Sequence, residues 1–455
     1  MTSEKKPIQP RQRRRLRNSL ILIGACLIAY HFLFHGTTPQ KLQPVVATSH
    51  HAGPHPPEIL NNLSLTTSQC TTLFPNLTFP IDDVLSQGPF TAHPKPSTLL
   101  ISLHNSHLSI LKSQSKRDLS AEMLASRTAA LHQLHRALLT TPASEPLPDT
   151  LISLNFQDQP FGTSWAYSRQ ADPQSRPGFA DGDADARTWL MPHFSFWAWK
   201  LPFIGSMARA AEAIAAIETT LPFAKKIPKA VWRGTTWFNS VHNPRLRANL
   251  VGATKGKPWA DVEALKWDTV STDTKNGERT ASNSLMIEEF CKYKYVLYTE
   301  GVTYSGRFQF LQMCESVLIT PAIGWMQHAT HMVRPVFSYA LEGMEGRWTA
   351  SEMTRRAWPV NWAVGEANAI FVKPDWSDLE DVIHWLEEHP REAEGIAKRQ
   401  RETFVNGGYF SPAAETCYWR ALVRGWSEVV RWDREELKAL GEGQTFEAFA
   451  LTNGD

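Results

Sequence analysis

Three stretches of this 455-residue chain place an ionisable or hydroxyl-bearing side chain just past a short apolar run. In layered α/β proteins that is where ligand-binding groups are presented. The first is Val231-Trp232-Arg233-Gly234-Thr235-Thr236. Arg233 offers a planar charged fork suited to a diphosphate, Gly234 permits close backbone approach, and Thr235 and Thr236 supply donors. A tight turn carrying a surface arginine is the plain alternative. The second is Glu300-Gly301-Val302-Thr303-Tyr304-Ser305-Gly306-Arg307, ahead of a stretch with helical spacing over 306–314. A helix start there would set free N–H groups and about half a positive charge beside Arg307, which favours an anion. The competing reading is a capped helix and nothing more. The third, Leu154-Asn155-Phe156-Gln157-Asp158-Gln159-Pro160, puts a carboxylate past a strand. A hydroxyl nucleophile needs a base within hydrogen-bond reach, and an aspartate is ionised near neutral pH unless burial raises its pKa strongly. Asp158 capping the turn before Pro160 is the structural alternative.

Metal chemistry has one candidate. Asp181-Gly182-Asp183-Ala184-Asp185 contains two Asp-x-Asp pairs, but it lies in a polar Pro/Gly stretch over 172–187 with no apolar strand ahead. It is read as a solvated loop, so no metal is expected. His328 and His331 are three apart without an accompanying Cys, Asp or Glu set at ligand spacing.

The elements that must position these groups follow from periodicity. Spacing of three and four predicts helices over 117–139, 207–219, 245–251 and 377–389, the last opening on Ser377-Asp378-Leu379-Glu380. Runs rich in β-branched and apolar residues predict strands over 150–156, 229–232, 294–299, 316–321 and 369–372. Strands alternating with helices imply α/β layers with parallel sheets.

Composition bounds the rest. An apolar fraction of 42% with 20% charged residues is that of a folded protein, and a formal charge of +2 gives no reason to expect nucleic acid as a partner. Charge is concentrated at the start, where Lys5, Lys6, Arg11, Arg13, Arg14, Arg15 and Arg17 precede an apolar run over 20–34. That pattern reads as a signal anchor at the short end of what spans a bilayer, with the basic tail cytosolic and the remainder luminal. A cleaved signal peptide is the rival, and the chain's last residues, Leu-Thr-Asn-Gly-Asp, form no retention signal, so retention is expected of the anchor. Residues 36–96, rich in Pro, Thr, Ser and His, read as a stem. The sequons at Asn62 and Asn76 agree with a luminal address. Outside the anchor run stand Cys70, Cys291, Cys314 and Cys417, an even set that allows three disulfide pairings in an oxidising compartment or four buried thiols.

Taken together, Cys291-Lys292-Tyr293-Lys294-Tyr295, the 301–308 segment and Cys314 resemble glycosyltransferase family 90, the capsule-associated and protein O-glucosyltransferase group, including its fungal-type β-xylosyltransferase-like members. The likeness extends to Trp232-Arg233-Gly234, to the 155–160 segment, to Pro192-His193-Phe194-Ser195-Phe196-Trp197, to Val372-Lys373-Pro374-Asp375 and to Cys417-Tyr418-Trp419, covering about residues 150–426. The resemblance implies a GT-B-like fold of two Rossmann-like domains and inverting transfer from UDP-glucose or UDP-xylose to a glycan or protein hydroxyl, without a cofactor. Asp158 becomes the base. Nucleotide-sugar contacts fall on Arg233, Gly234, Thr235, Val302, Thr303, Tyr304, Ser305, Gly306 and Arg307, while Pro192, Phe194, Ser195, Phe196 and Trp197 line the acceptor and donor cleft. Cys291 is expected to pair with Cys314 and Cys70 with Cys417. Tyr304 and Gly306 stand where many relatives carry other residues, so the sugar is not carried across.

The expected organisation is a cytosolic tail over 1–18, a transmembrane anchor over 19–35, the stem over 36–96, an acceptor-side domain over 97–225, a nucleotide-side domain over 226–405 and a C-terminal helical segment over 406–455. The expected address is the Golgi or endoplasmic-reticulum membrane, single-pass, with the body luminal. The rivals are a catalytically silent luminal protein that binds glycans or partners, and a metal-dependent transferase using Asp181–Asp185.

Overall fold

The structure, a computed structural model, describes residues 55–92, 98–176, 187–267, 281–432, 441 and 443–452. The basic tail, the anchor and the Asp-rich 181–185 loop lie outside the described residues. Among the described residues no helix is long and apolar enough to cross a membrane.

The described residues adopt a mixed α/β architecture, and among them are two six-stranded sheets and three two-stranded ones. In one large sheet the strands run Ala260–Ala264, Ile227–Gly234, Tyr293–Leu297, Val317–Pro321, Ala369–Val372 and Pro335–Phe337, every neighbouring pair parallel. Successive side chains of a strand point to opposite faces. Ala230 and Trp232 accordingly join a core with Leu246, Leu250, Leu379, Val382 and Ile383 from the covering helices, while Val231 faces a second core with Val296, Leu318 and Phe371. Burying each such aliphatic side chain contributes about 1.5–3 kcal/mol, which is what holds the strand ends in register for the loops beyond them.

The other large sheet departs from the expectation of parallel layers. Its order is Gln444–Thr445, His107–Lys112, Leu99–His104, Thr150–Leu154, Ser164–Ala166 and Thr188–Leu190, antiparallel at the first three junctions and parallel at the last two. The local cause is a hairpin whose loop residues Asn105 and Ser106 both adopt positive φ, 49° and 64°, the geometry of a tight two-residue turn. The Pro412–Val429 helix packs on the Ala121–Leu139 helix, so the C-terminal segment lies against the first half of the body.

Two further differences have physical reasons. Helical spacing over 306–314 yields only one turn, Phe308–Leu311, because Phe308, Phe310, Leu311, Met313 and Cys314 are all buried and no solvent face exists for a longer amphipathic helix. Residues 57–92, within the stretch read as stem, form helices Pro57–Leu60, Thr67–Leu73 and Phe79–Leu85 and the strand Phe90–Ala92. Phe74, Ile81, Val84 and Phe90 are buried in the body. The Pro and Thr content that suggests a spacer instead starts these helices: Pro57 and Pro80 occupy first-turn positions, and Thr66 forms a capping box with Gln69.

Both expected disulfides form, Cys70–Cys417 across 347 residues and Cys291–Cys314 across 23. The first fastens the Thr67–Leu73 helix to the Pro412–Val429 helix; the second joins the approach to the Tyr293–Leu297 strand to the segment that follows Arg307. Replacing Cys70 and Cys417 together by Ala is expected to lower the unfolding free energy by about 2–5 kcal/mol, read by denaturant titration of oxidised protein. A change below about 1 kcal/mol would show that packing alone holds the 57–92 segment.

Candidate active site

Asp158 sits where the Thr150–Leu154 strand ends. Asn155, buried, donates its N–H to the Trp165 carbonyl at 2.8 Å and accepts the Gln157 N–H on its side-chain oxygen at 2.9 Å, folding the loop so that Asp158 stands solvent-accessible at its tip. The Asp158 main-chain oxygen accepts the Thr303 hydroxyl at 2.6 Å, which joins this loop to the 300–307 segment. Surrounding protein partly desolvates the Asp158 carboxyl and raises its pKa above the ordinary 3.8, with Arg247 opposing the rise.

The 300–307 segment is braced from within. Gly301 donates to the Tyr304 carbonyl at 2.8 Å, and Ser305 donates its N–H to the buried Tyr298 hydroxyl at 3.0 Å. Val302 accepts the Val241 N–H at 3.1 Å, and Trp232 Nε1 donates to Thr299 at 3.0 Å. Close approach dictates the glycines. A methyl on Gly234 would meet the Trp232 ring at 2.5 Å and Arg307 Nη2 at 3.0 Å; one on Gly306 would meet His193 Cε1 at 2.5 Å.

The two arginines singled out in the sequence are brought together but are not equivalent. Arg307 is half-buried, directly precedes the Phe308–Leu311 turn and donates through Nη1 to the Arg233 carbonyl. Burial lowers its pKa to about 10. The Arg233 guanidinium instead lies along the sheet, with Nη2 on Asp261 Oδ1 at 2.6 Å, Nη1 on the Asp261 carbonyl at 2.8 Å and Nε on the Asn283 carbonyl at 3.1 Å. Its charge is matched by Asp261 in the neighbouring strand, so Arg233 supports the strand end more than it offers a free fork.

Residues 192–197 divide by direction. The buried His193 presents its ring to Gly306 and to Tyr304, centroids 5.4 Å apart, and holds the Ser195 hydroxyl at 2.8 Å through Nδ1. Burial, then the charge of His328, lowers its pKa to about 3, which keeps the imidazole neutral. Phe194 packs on Tyr167 and Trp199, Pro192 is buried, and Ser195 is bonded to Gln309. Phe196 turns into the core against His328 and Phe410, and Trp197 stacks on His132.

Arg247 is absent from the sequence reading, and Glu300 stands in it only as the first residue of the 300–307 stretch, without a role of its own. Arg247 opens the Leu246–Thr254 helix and is buried, donating through Nε to the Glu300 carbonyl at 2.9 Å and through Nη1 to the Thr235 carbonyl at 2.9 Å. The available signal was its place in the first turn of the helix that follows a strand-end loop, a helix start at the carboxyl edge of the sheet. Glu300 is buried, its Oε1 accepting the N–H groups of Gly324 at 2.8 Å and Trp325 at 2.7 Å, and burial raises its pKa to about 8.

One group of potential metal ligands occurs among the described residues, Glu218 with Cys291 and Cys314, and the disulfide removes both thiolates from it. His331 contacts the Asn76 carbonyl and Phe79 rather than a ligand set. Asn62 and Asn76 are exposed.

A sequence model described as glycosyl transferase family 90 matches residues 103–341, which hold Asp158, the 192–197 segment, Arg233 and residues 302–307. The chain is similar to the "O-glucosyltransferase rumi homolog" of Anopheles gambiae, 25% identical over 223 residues that are 48% of this chain and 46% of that protein. It is also similar to "Protein O-glucosyltransferase 1" of Rattus norvegicus, 21% identical over 294 residues, 63% of this chain and 64% of that one. The same-named protein of Homo sapiens is 20% identical over 294 residues, with 63% and 64% covered. The matched part is thus less than two thirds of each relative.

Gly306→Ala forces a methyl against His193 and is expected to lower stability by about 1–3 kcal/mol in thermal or denaturant unfolding. Gly252→Ala, whose added methyl meets nothing within 4 Å, is the control and should be neutral or mildly stabilising. Equal behaviour of the two would remove Gly306 from the cleft's close contact. Glu300 gives a pH signature. Its folded pKa lies above the unfolded value of 4.5, so the native chain keeps a proton that the unfolded chain releases, and stability from this group falls as pH rises from about 4.5 to about 8. Glu300→Gln should lose less stability across that window, and identical pH–stability curves would contradict the assignment.

Proposed function

The chain belongs to glycosyl transferase family 90, and on that premise we propose that it is an inverting transferase that moves glucose or xylose from a UDP-sugar to a hydroxyl of a protein or glycan. The observation that carries this reading is the Thr303–Asp158 hydrogen bond, which sets a carboxylate beside the segment proposed to hold the donor. The names of the similar proteins, O-glucosyltransferases, put glucose and a protein hydroxyl first among the pairs to try.

In this reading the acceptor oxygen attacks the anomeric carbon from the face opposite the diphosphate. Asp158 takes the hydroxyl proton as the bond from that carbon to the UDP oxygen breaks, and UDP leaves with the electron pair. Partial desolvation makes Asp158 a stronger base than an exposed aspartate, while Arg247 holds it ionised. Negative charge that develops on the diphosphate is met by Arg307, whose side-chain partner is a carbonyl and not a carboxylate, and by donors of residues 302–306. Thr235 and Gly234 shape the facing wall with Arg233 behind them; Tyr304, His193 and Phe194 form an aromatic side for the sugar or acceptor. Charge supplied by arginine leaves a divalent ion unnecessary.

The two six-stranded sheets are read as the two domains of a GT-B-like fold, residues 97–225 on the acceptor side and 226–405 on the nucleotide side, with 406–455 returning to the first. The two disulfides and the exposed sequons at Asn62 and Asn76 support a luminal body in the Golgi or endoplasmic reticulum, held by the anchor over 19–35.

A donor screen that detects both UDP release and sugar transfer tests the reading. Asp158→Asn should lower turnover about 10²- to 10⁴-fold with UDP affinity nearly intact. Arg307→Ala should weaken UDP binding about ten- to a hundredfold. Activity should persist in excess chelator. Normal turnover in Asp158→Asn, or no UDP release from any UDP-sugar, would overturn it, the latter in favour of a silent binding protein.

A further inference from the structure

We propose that His193 reads the transferred sugar: its Nε2–H, on the ring edge that faces Gly306, donates a hydrogen bond to a hydroxyl oxygen of that sugar. The inference rests on the reading of residues 302–307 as the segment that holds a UDP-sugar, and it names the group that recognises the sugar rather than the diphosphate.

The neighbours of the ring decide which nitrogen carries the proton. Nδ1 accepts the Ser195 main-chain N–H at 3.2 Å, lies 2.8 Å from the Ser195 hydroxyl and has the Gln309 amide nitrogen at 3.4 Å. A main-chain N–H can only donate, so Nδ1 is the acceptor and the proton of the neutral ring sits on Nε2. The main chain is fixed from the other side. Gln133, fully buried in the Ala121–Leu139 helix, donates through its Nε2 to the His193 carbonyl at 3.1 Å and the Phe194 carbonyl at 3.0 Å. Its Oε1 accepts Trp419 Nε1 at 3.3 Å, so this amide cannot turn over without losing a bond. Ring and backbone of His193 are thus set before any ligand arrives.

The other edge of the ring has a direction. A methyl on Gly306 would lie 2.5 Å from Cε1 and 2.7 Å from Nε2, so this edge stands in the place of a side chain on the donor segment, one residue ahead of Arg307. Among the described residues none accepts the Nε2–H, although His193 is only 2% exposed. A buried donor without an acceptor costs about 1–3 kcal/mol, which a ligand oxygen recovers. The rings of Tyr167, Phe194, Trp199 and Tyr304 surround the imidazole, with centroids 5.2, 4.0, 5.6 and 5.4 Å away. Aromatic walls with a single neutral donor suit the carbon-bound face and one hydroxyl of a pyranose, whereas a phosphate is better served by the charge of Arg307. A hydroxyl that meets a built partner is discriminated from an analogue that lacks it.

Calorimetric titration of the full chain with UDP, UDP-glucose and UDP-xylose tests this without turnover. His193→Phe keeps a ring and removes the donor; His193→Gln keeps an amide N–H in place of Nε2–H. UDP carries no sugar, so both variants should bind it as the wild type does. For a UDP-sugar that the wild type binds, His193→Phe should lose affinity about ten- to a hundredfold, and His193→Gln should recover most of it. A loss confined to UDP-glucose assigns the bond to the hydroxymethyl group that xylose lacks; a loss shared by both sugars assigns it to a ring hydroxyl. Equal losses for UDP and UDP-sugar would reduce His193 to a structural residue, and unchanged affinities would remove it from the sugar. The tautomer is checked separately by long-range ¹H–¹⁵N spectra of histidine-labelled protein, with His193→Gln to assign the ring. The proton should sit on Nε2, and a proton on Nδ1 would overturn the proposal whatever binds. A wild type that binds neither UDP nor a UDP-sugar overturns the functional reading, and this proposal with it.

Discussion

The hydroxyl of Thr303 on the main-chain oxygen of Asp158, 2.6 Å away, is the contact on which the candidate site turns. It is short enough to be strong, but a hydroxyl bond of this kind is worth only about 1 kcal/mol net, too little to bring two loops from different sheets together unaided. The surroundings do that work. Gly301 and Tyr304 close the 300–307 segment on itself, Tyr298 holds Ser305 from beneath, and the absence of a side chain at Gly234 and Gly306 lets Trp232, Arg307 and His193 approach to contact. The parallel sheet with its two buried faces supplies the rigid base, and the Cys291–Cys314 bridge restrains the chain on either side.

Electrostatics sorts the arginines. A buried guanidinium is tolerated when its donors are filled, and whether it remains available to an anion depends on what fills them. Arg233 faces a carboxylate, Asp261, and is close to neutralised; Arg307 and Arg247 face carbonyl oxygens and keep their charge. What fills each guanidinium therefore matters more than the count of arginines in the cleft.

Much of the frame was legible in the residues. The strands that end at Leu154, Gly234, Leu297, Pro321 and Val372 follow from apolar runs closed by turn residues, and the helices over 121–139 and 379–388 from their three-and-four spacing. The disulfide pairing followed from the family resemblance and not from counting. What stayed hidden depends on contacts distant in sequence. Pro57, Thr66 and Pro80 read as spacer because their capping role is visible only once Phe74 and Ile81 have a core to enter. Arg233 looked like a free fork because nothing in its neighbourhood announces Asp261, 28 residues on. Arg247 drew no reading of its own, since its partners at Thr235 and Glu300 are backbone oxygens, which carry no sequence signature.

The central claim is that a carboxylate on one side of the donor and cations on the other drive a single displacement. The stereochemistry of the product tests this most directly. With an α-linked UDP-glucose or UDP-xylose and an acceptor found in the donor screen, the coupling constant of the anomeric proton in the first-formed product reports its configuration. The account predicts a β-linked product; an α-linked one would contradict a direct displacement with Asp158 as base.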